Sequence, residues 1–174
     1  MLIQRKFKYK FLTRGATGWV FRIDDGIALK HARDEGSDAF QTEINIYDMF
    51  DKHEPSPYIL RNTLRRPNLN FLPFMRGGSL EARIRANQQR DELGALTIHQ
   101  KEPVQKVERW AMELTGAIAW LETLGLVHGD LRPPNILLDD RDHLNYIPRR
   151  GMLVGLVTIF NKYCPLLPPL PSLV

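Results

Sequence analysis

The sequence has a single cysteine, Cys164, among its 174 residues. A disulfide framework or a cysteine-based zinc site needs more than one cysteine, so neither can form within one chain. A reducing compartment is compatible with this composition. Long hydrophobic runs are also absent: the longest, from Met152 to Phe160, falls well short of the roughly 20 residues that a membrane helix requires.

An excess of positive charge is confined to the end of the chain. The residues from Arg141 onward carry +3 of the net +4, which leaves +1 for the 140 residues before them. A nucleic-acid-binding domain usually presents a large basic surface, whereas the basic residues between Arg5 and Lys10 alternate with apolar ones, as on a solvated strand. The N-terminus lacks the continuous apolar stretch of a signal peptide. We therefore predict no nucleic-acid partner, no membrane span and a cytoplasmic or nuclear location.

The first half of the chain carries the signals of an antiparallel sheet. Short apolar segments alternate with turn residues, and Asp24-Asp25-Gly26 is typical of a hairpin turn with positive φ. A loop from Thr13 to Gly18 with two glycines lies between the first two segments. The predicted strands are 7–11, 19–23, 27–30, 58–64 and 70–74.

Helical spacing of apolar residues interrupts these strands and then dominates the second half. The spacing from Phe40 to Phe50 predicts a helix that starts with Asp38 and Gln41 as a capping box. Gly125 is predicted to end a later, long helix in the left-handed conformation. The further predicted elements are a short helix at 80–86, a surface loop at 87–96, the long helix at 104–124 and a strand at 136–138. The apolar stripe predicted for the long helix comprises Val107, Trp110, Ala111, Leu114, Ala117, Ile118 and Leu121.

Glu43 falls inside the apolar stripe of the first helix, between Phe40 and Tyr47. A carboxylate that faces a core is costly unless it is paired. Lys30 ends the preceding strand and is the candidate partner. The alternative is that Glu43 extends to the edge of the stripe and reaches solvent.

Two loops carry residues suited to chemistry on phosphates. Gly15 and Gly18 would let backbone amides approach an anion closely, although two glycines between strands can also form an ordinary turn. The polar segment from His128 to Asn135 lies between apolar segments. There, Asp130 can accept a proton, Arg132 can neutralise phosphate and the Asn135 carbonyl oxygen can hold a divalent cation. The competing interpretation is a solvent loop with an Asx turn.

The segment from His128 to Asn135 resembles the catalytic loop of eukaryotic protein kinases of the serine/threonine type, His-Arg-Asp-Leu-Lys-Pro-x-Asn. Other segments are similar to further kinase motifs in the same order. Thr13 to Val20 resembles the glycine-rich loop, Ile27 to Lys30 resembles the strand with the phosphate-binding lysine, and Phe74 to Leu80 resembles the hinge. The likeness covers about the first 144 residues.

This resemblance implies an α+β, protein-kinase-like fold. Residues 1–75 would form a small antiparallel β lobe with one helix, and residues 76–144 an incomplete, mainly helical large lobe. Residues 145–174 form an apolar, proline-rich tail outside the fold, which we interpret as the product of a truncated or misread coding sequence. The resemblance also implies ATP and Mg²⁺ as cofactors and a protein serine or threonine hydroxyl as the phosphate acceptor.

The resemblance assigns a role to each candidate residue. Lys30 would hold the α- and β-phosphates, with Glu43 orienting it. Asp130 would be the catalytic base, Arg132 a phosphate contact and Asn135 the metal ligand. The implied nucleotide-binding residues are Gly15, Gly18, Val20, Ala28, Lys30, Glu43, Phe74 and Met75.

The sequence departs from the family pattern in three ways. Thr13 replaces the first loop glycine, and Gly129 replaces the catalytic-loop arginine that pairs with a phosphorylated activation loop. No Asp-Phe-Gly follows the predicted strand at 136–138, and neither Asp140 nor Asp142 precedes Phe-Gly. The family aspartate of that motif binds magnesium, so we expect catalysis to be impaired.

Three other interpretations stay open. A small-molecule phosphotransferase of the aminoglycoside or choline kinase type also suits His128-Gly129-Asp130 with Asn135. A non-catalytic pseudokinase scaffold would keep nucleotide affinity without turnover. An unstable fragment would have no function of its own. An incomplete large lobe would also expose apolar helix surface, through which a partner protein could bind.

Overall fold

The computed structural model describes residues 9–147 and the backbone of residues 152–154. The start of the first predicted strand and most of the predicted tail lie outside the described residues. The α+β class predicted from the sequence is confirmed. No helix within the described residues has the length and apolar character needed to cross a membrane.

A five-stranded antiparallel sheet forms the first part of the molecule, in the spatial order β1-β2-β3-β5-β4. Its single helix, α1, connects β3 to β4 and packs against one face of the sheet. The elements are β1 (Lys10–Arg14), β2 (Gly18–Arg22), β3 (Ile27–Ala32), α1 (Asp38–Phe50), β4 (Leu64–Arg66) and β5 (Leu69–Pro73).

The strand predicted at 58–64 is wrong in place. Strand β4 begins only at Leu64, because the residues before it form hydrogen bonds with a different part of the molecule. The Leu60 N–H donates to the Tyr146 carbonyl oxygen at 2.9 Å, and the Tyr146 N–H donates to the Tyr58 carbonyl oxygen at 2.8 Å. These bonds tie the segment to Tyr146 rather than to the five-stranded sheet.

One turn prediction is confirmed in part and one cap prediction is wrong. Asp24-Asp25-Gly26 forms the predicted hairpin turn between β2 and β3, but Gly26 does not have positive φ. The N-cap of α1 is Ser37 without a side-chain cap bond, so the predicted capping box does not form. The Gln41 side chain instead donates to Asn45 Oδ1 at 2.9 Å, one helical turn further on.

The second part of the molecule surrounds one long helix, α3. The segment predicted to be a loop at 87–96 instead contributes to a short hairpin, β7–β8. The elements are β6 (Gly78–Ser79), α2 (Leu80–Ala86), β7 (Gln88–Arg90), β8 (Leu96–Ile98), α3 (Val104–Thr123), β9 (Leu126–His128), β10 (Ile136–Leu138), β11 (Leu144–Tyr146) and β12 (Met152–Val154). Gly125 has φ 69° and ends α3 as predicted.

The buried face of α3 differs from the predicted stripe. Trp110, Ala117 and Leu121 are buried, whereas Val107 and Ala111 are exposed. Glu113 is buried although it is charged. Its carboxylate accepts the Leu144 N–H at 2.8 Å and contacts His143 Nδ1 at 2.6 Å, and this pairing allows a charge on the buried face.

One hydrophobic core runs through both parts. Phe50 at the end of α1 packs edge-on against Trp120 of α3, with 4.9 Å between ring centroids. The Trp120 Nε1–H donates to the Glu54 carbonyl oxygen at 3.0 Å. Tyr146 is fully buried in the same core, so the packed chain continues beyond Leu144. The position of α1 therefore depends on α3.

We predict that Phe50→Ala lowers the free energy of unfolding by about 3–5 kcal/mol, because it leaves a cavity between α1 and α3. Urea unfolding followed by circular dichroism measures the loss. Leu93→Ala is the matched control: Leu93 is 95% exposed, and its truncation should cost less than about 0.5 kcal/mol. Equal losses in the two variants would contradict the described core.

Candidate active site

Lys30 and Glu43 form a buried ion pair. Alternate residues of β3 face α1, which places the Lys30 side chain beneath the sheet, and Glu43 lies on the buried face of α1. Lys30 Nζ contacts Glu43 Oε2, and the two side chains are only 8% and 2% exposed. The structure thus joins the pair that helical spacing predicted.

Thr17 is a third member of this cluster that the sequence analysis missed. Its hydroxyl donates to Glu43 Oε2 at 2.9 Å, and the residue is buried. The carboxylate oxygen therefore accepts from both a lysine and a hydroxyl. No periodicity marks a threonine between two loop glycines, so only the folded loop reveals the contact.

Gly18 is needed for the packing of two strands, whatever the loop binds. It opens β2 and lies opposite Ala32 of β3. A Cβ added there would lie 2.1 Å from the His31 carbonyl oxygen, which is far inside contact distance. The Gly15 N–H donates to the Gly18 carbonyl oxygen at 2.8 Å and closes the loop. The glycines therefore shape the loop through its own backbone.

Four of the predicted nucleotide-binding residues belong to the hydrophobic core or pack against it. Ala28 of β3 is buried, and Val20 of β2 is partly buried against the same core. Phe74 and Met75 follow β5 and also pack on it. The Phe74 N–H donates to the Gly26 carbonyl oxygen at 2.9 Å, which fixes the start of the predicted hinge.

Asp130, Arg132 and Asn135 come together in the loop between β9 and β10. A one-turn 3₁₀ helix, Pro133–Asn135, directs the Asn135 side chain back toward Asp130. Asn135 Nδ2 donates to the Asp130 carbonyl oxygen at 2.7 Å and to Asp130 Oδ2 at 2.9 Å. Arg132 Nε lies 2.8 Å from Asp130 Oδ1, and the Asp130 side chain stays 36% exposed. A carboxylate held this way is oriented and partly exposed.

The Asn135 side-chain oxygen fits a metal ligand. Asn135 is fully buried, and its Oδ1 has no hydrogen-bond partner among the described residues. Its Nδ2 is fixed by Asp130, so the oxygen points away from that bond. Amide oxygens suit hard cations such as Mg²⁺. No group of three or more His, Cys, Asp or Glu side chains in the described ranges is arranged to hold a metal, so a cation here would also need phosphate oxygens and water.

The Asp142 carboxylate is bound by basic residues of α2 and α3. Its carboxylate contacts Arg83 and lies 2.6 Å from Lys106 Nζ. The hydrogen bond from Lys106 holds the pKa of Asp142 below its ordinary value, and the same bond raises the pKa of Lys106. The Asp142 carbonyl oxygen accepts from Trp110 Nε1 at 2.8 Å. This network anchors the β10–β11 turn to α3.

Comparison with known proteins identifies the class. The family model for protein tyrosine and serine/threonine kinases matches residues 25–151, more than half of the chain. The chain belongs to this family. The matched range starts after Gly15 and Gly18 and includes Lys30, Glu43 and the loop from Asp130 to Asn135.

Two relatives are serine/threonine-protein kinases. The chain is 41% identical to pelle of Drosophila melanogaster over 69 residues, which are 38% of this chain and 13% of pelle. It is 26% identical to UCN of Arabidopsis thaliana over 152 residues, which are 78% of this chain and 35% of UCN. The chain therefore spans about a third or less of these relatives.

We predict that Gly18→Ala lowers the free energy of unfolding by about 1–3 kcal/mol, because its Cβ must push β3 away. Thermal melts measure the loss. Gly26→Ala is the matched control, since a Cβ at Gly26 would meet nothing within 4 Å. A Gly18→Ala variant as stable as the control would contradict the described β2–β3 contact.

We predict strong energetic coupling between Lys30 and Glu43. Lys30→Met and Glu43→Met each leave a buried charge unpaired and should each cost about 3 kcal/mol. The double variant should cost less than the sum, with a coupling energy of about 0.5–3 kcal/mol. Urea unfolding of the unmodified chain, the two single variants and the double variant gives this value. Additive losses in the free energy of unfolding would contradict the ion pair.

Proposed function

We propose that this chain binds ATP with Mg²⁺, and that the reaction of its site is phosphoryl transfer to a protein serine or threonine hydroxyl. The buried Lys30–Glu43 pair is the observation that carries the proposal, because it places an oriented ammonium beside the glycine loop. The small lobe would end at residue 75 and the large lobe would begin at residue 76. We also propose a cytoplasmic or nuclear location, where ATP and Mg²⁺ are abundant.

The small lobe would bind the nucleotide. Ala28, Val20, Phe74 and Met75 would contact the adenine with their apolar surfaces, and Lys30 would bind the α- and β-phosphates. Glu43 would orient the ammonium, because its carboxylate contacts Lys30 Nζ. The work of such a site is mainly positioning and charge stabilisation.

The loop between β9 and β10 would act where the acceptor hydroxyl meets the transferred phosphate. Asp130 would accept the proton of the attacking hydroxyl, because its carboxylate is exposed and held by Asn135 and Arg132. The Arg132 guanidinium would neutralise phosphate charge. Asn135 Oδ1 would hold Mg²⁺, which when bound would neutralise charge on the phosphate oxygens.

We propose that turnover is slow in this chain. The residues after β11 read Pro148-Arg149-Arg150-Gly151, and no Asp-Phe-Gly occurs there. Asp142 cannot easily replace that aspartate, because Arg83 and Lys106 already bind its carboxylate. Asp139 accepts the Arg141 and His143 N–H groups through Oδ1. A nucleotide-binding pseudokinase is therefore the second candidate function.

A protein partner is a further part of the proposal. Val104, Val107 and Met112 on α3 are exposed apolar residues. Exposed apolar surface of this kind favours protein contacts. The substrate or a regulatory protein could bind there.

We expect ATP with Mg²⁺ to stabilise the chain by about 2.7 kcal/mol at a concentration of about 100 Kd. Thermal melts with and without ATP and Mg²⁺ measure this. Lys30→Met should lose the shift, relative to its own melting temperature without ligand, because the phosphate contact is gone. Lys52→Met is the matched control, since Lys52 is exposed in the turn that follows α1, and it should keep the shift. If ATP with Mg²⁺ does not raise the melting temperature of the unmodified chain, the nucleotide proposal is wrong.

Transfer assays separate the remaining alternatives. We expect weak, magnesium-dependent phosphate transfer to serine or threonine, absent in Lys30→Met. Binding without transfer would favour the pseudokinase. Transfer to aminoglycosides or choline, and not to protein, would favour the small-molecule phosphotransferase. Rapid transfer to protein would contradict the proposed impairment and leave the nucleotide site intact.

A further inference from the structure

The glycine loop, residues 15–18, is anchored by Arg33 from one side. Arg33 Nη2 donates to the Gly15 carbonyl oxygen at 3.2 Å and to the Ala16 carbonyl oxygen at 3.4 Å. The Arg33 main-chain N–H donates to the Thr17 carbonyl oxygen at 3.2 Å. One residue directly after β3 therefore binds three consecutive carbonyl groups of the loop.

Thr17 anchors the same loop from the other side. Its hydroxyl donates to the Glu43 carboxylate on α1. A hydrogen bond to an ionised group is stronger than one between neutral groups. The loop is thus attached to β3 through its backbone and to α1 through a side chain.

These two anchors hold the loop against Lys30. A Cβ added at Gly15 would lie 3.7 Å from Lys30 Cε, so the loop lies close to the end of the lysine side chain. The Lys30 side chain is only 8% exposed. Little of the lysine is therefore open to a bulky, hydrated triphosphate in this state.

We propose that Thr17 latches the glycine loop in a closed position over Lys30. A nucleotide phosphate then reaches Lys30 only after the hydrogen bond from Thr17 to Glu43 opens. This inference rests on the proposed nucleotide function and adds a residue that controls access to the site. Thr17 is a positioning residue, because it acts through the loop and not on the reacting atoms.

The energetic consequence is a lower apparent affinity for nucleotide. When only a fraction of the molecules is open, the measured Kd exceeds the intrinsic Kd by the inverse of that fraction. Removing the Thr17 hydroxyl leaves Glu43 Oε2 bonded to Lys30, so no buried oxygen is orphaned. Loss of the latch should therefore shift the loop toward the open state without breaking the ion pair.

The test compares Thr17→Val with two matched variants by ATP titration. Thr17→Val removes the hydroxyl at nearly constant volume and should tighten ATP binding about tenfold. Thr17→Ser keeps the hydroxyl and should bind as the unmodified chain does. Thr42→Val makes the same change one residue from Glu43 on the exposed face of α1, where the hydroxyl only donates to the Asp38 carbonyl oxygen, and should leave affinity unchanged.

Amide hydrogen exchange provides a readout without nucleotide. The N–H groups of Gly15 and Arg33 donate within the closed loop, so both should exchange about tenfold faster in Thr17→Val and not in Thr42→Val. Arg33→Met removes the two guanidinium bonds of the other anchor and should also tighten ATP binding, which keeps the test available if Thr17→Val folds poorly.

The outcomes separate the latch from the nucleotide site. Unchanged exchange in Thr17→Val, or ATP binding equal to or weaker than that of the unmodified chain, would overturn the latch while the nucleotide proposal stands. If no variant binds ATP although exchange rises, the nucleotide site is wrong and the inference fails with it.

Discussion

The ion pair between Lys30 and Glu43 is the constraint on which the candidate site depends. Both charges are removed from water, which is tolerable only because they contact each other and because Thr17 adds a hydrogen bond to the carboxylate. The neighbouring Tyr47 responds to this environment: burial raises its pKa well above the ordinary value, and the charge of Glu43 raises it further. The pair fixes α1 against β3, and both elements contact the glycine loop.

The pair also depends on packing at a distance. α1 is held at its far end by Phe50, which packs on Trp120 of α3. The segment after α1 is bonded to β11, and β11 is bonded in turn to β10, which follows the loop of Asp130 and Asn135. A disturbance of the shared core would therefore reach both groups of site residues. This continuity explains how residues distant in sequence can keep their relative positions in a kinase-family domain.

Charge pairing decides which acidic residues are available for catalysis and which hold the fold together. Asp142 and Glu113 are bound into contacts that connect α3 to the β10–β11 turn and to the start of β11. Asp130 is held by Asn135 and Arg132 but keeps an exposed carboxylate. The Asn135 side-chain oxygen is buried and has no hydrogen-bond partner among the described residues, and a bound ligand would supply the missing contact. The contrast supports a binding role for Asn135 and a structural role for Asp142.

The sequence by itself determined the three helices, several of the strands and the candidate pair, because helical spacing and alternation are local patterns that burial imposes on neighbouring residues. The α+β class followed from the resemblance to protein kinases. It also marked the Asp130–Asn135 loop, since polar residues between apolar strands are locally visible. The tertiary structure alone decided the place of β4, the buried role of Glu113 and the contacts of Thr17 and Arg33 with their partners. Each of these depends on a partner far along the chain, and no local period records which partner a polar group will meet after folding.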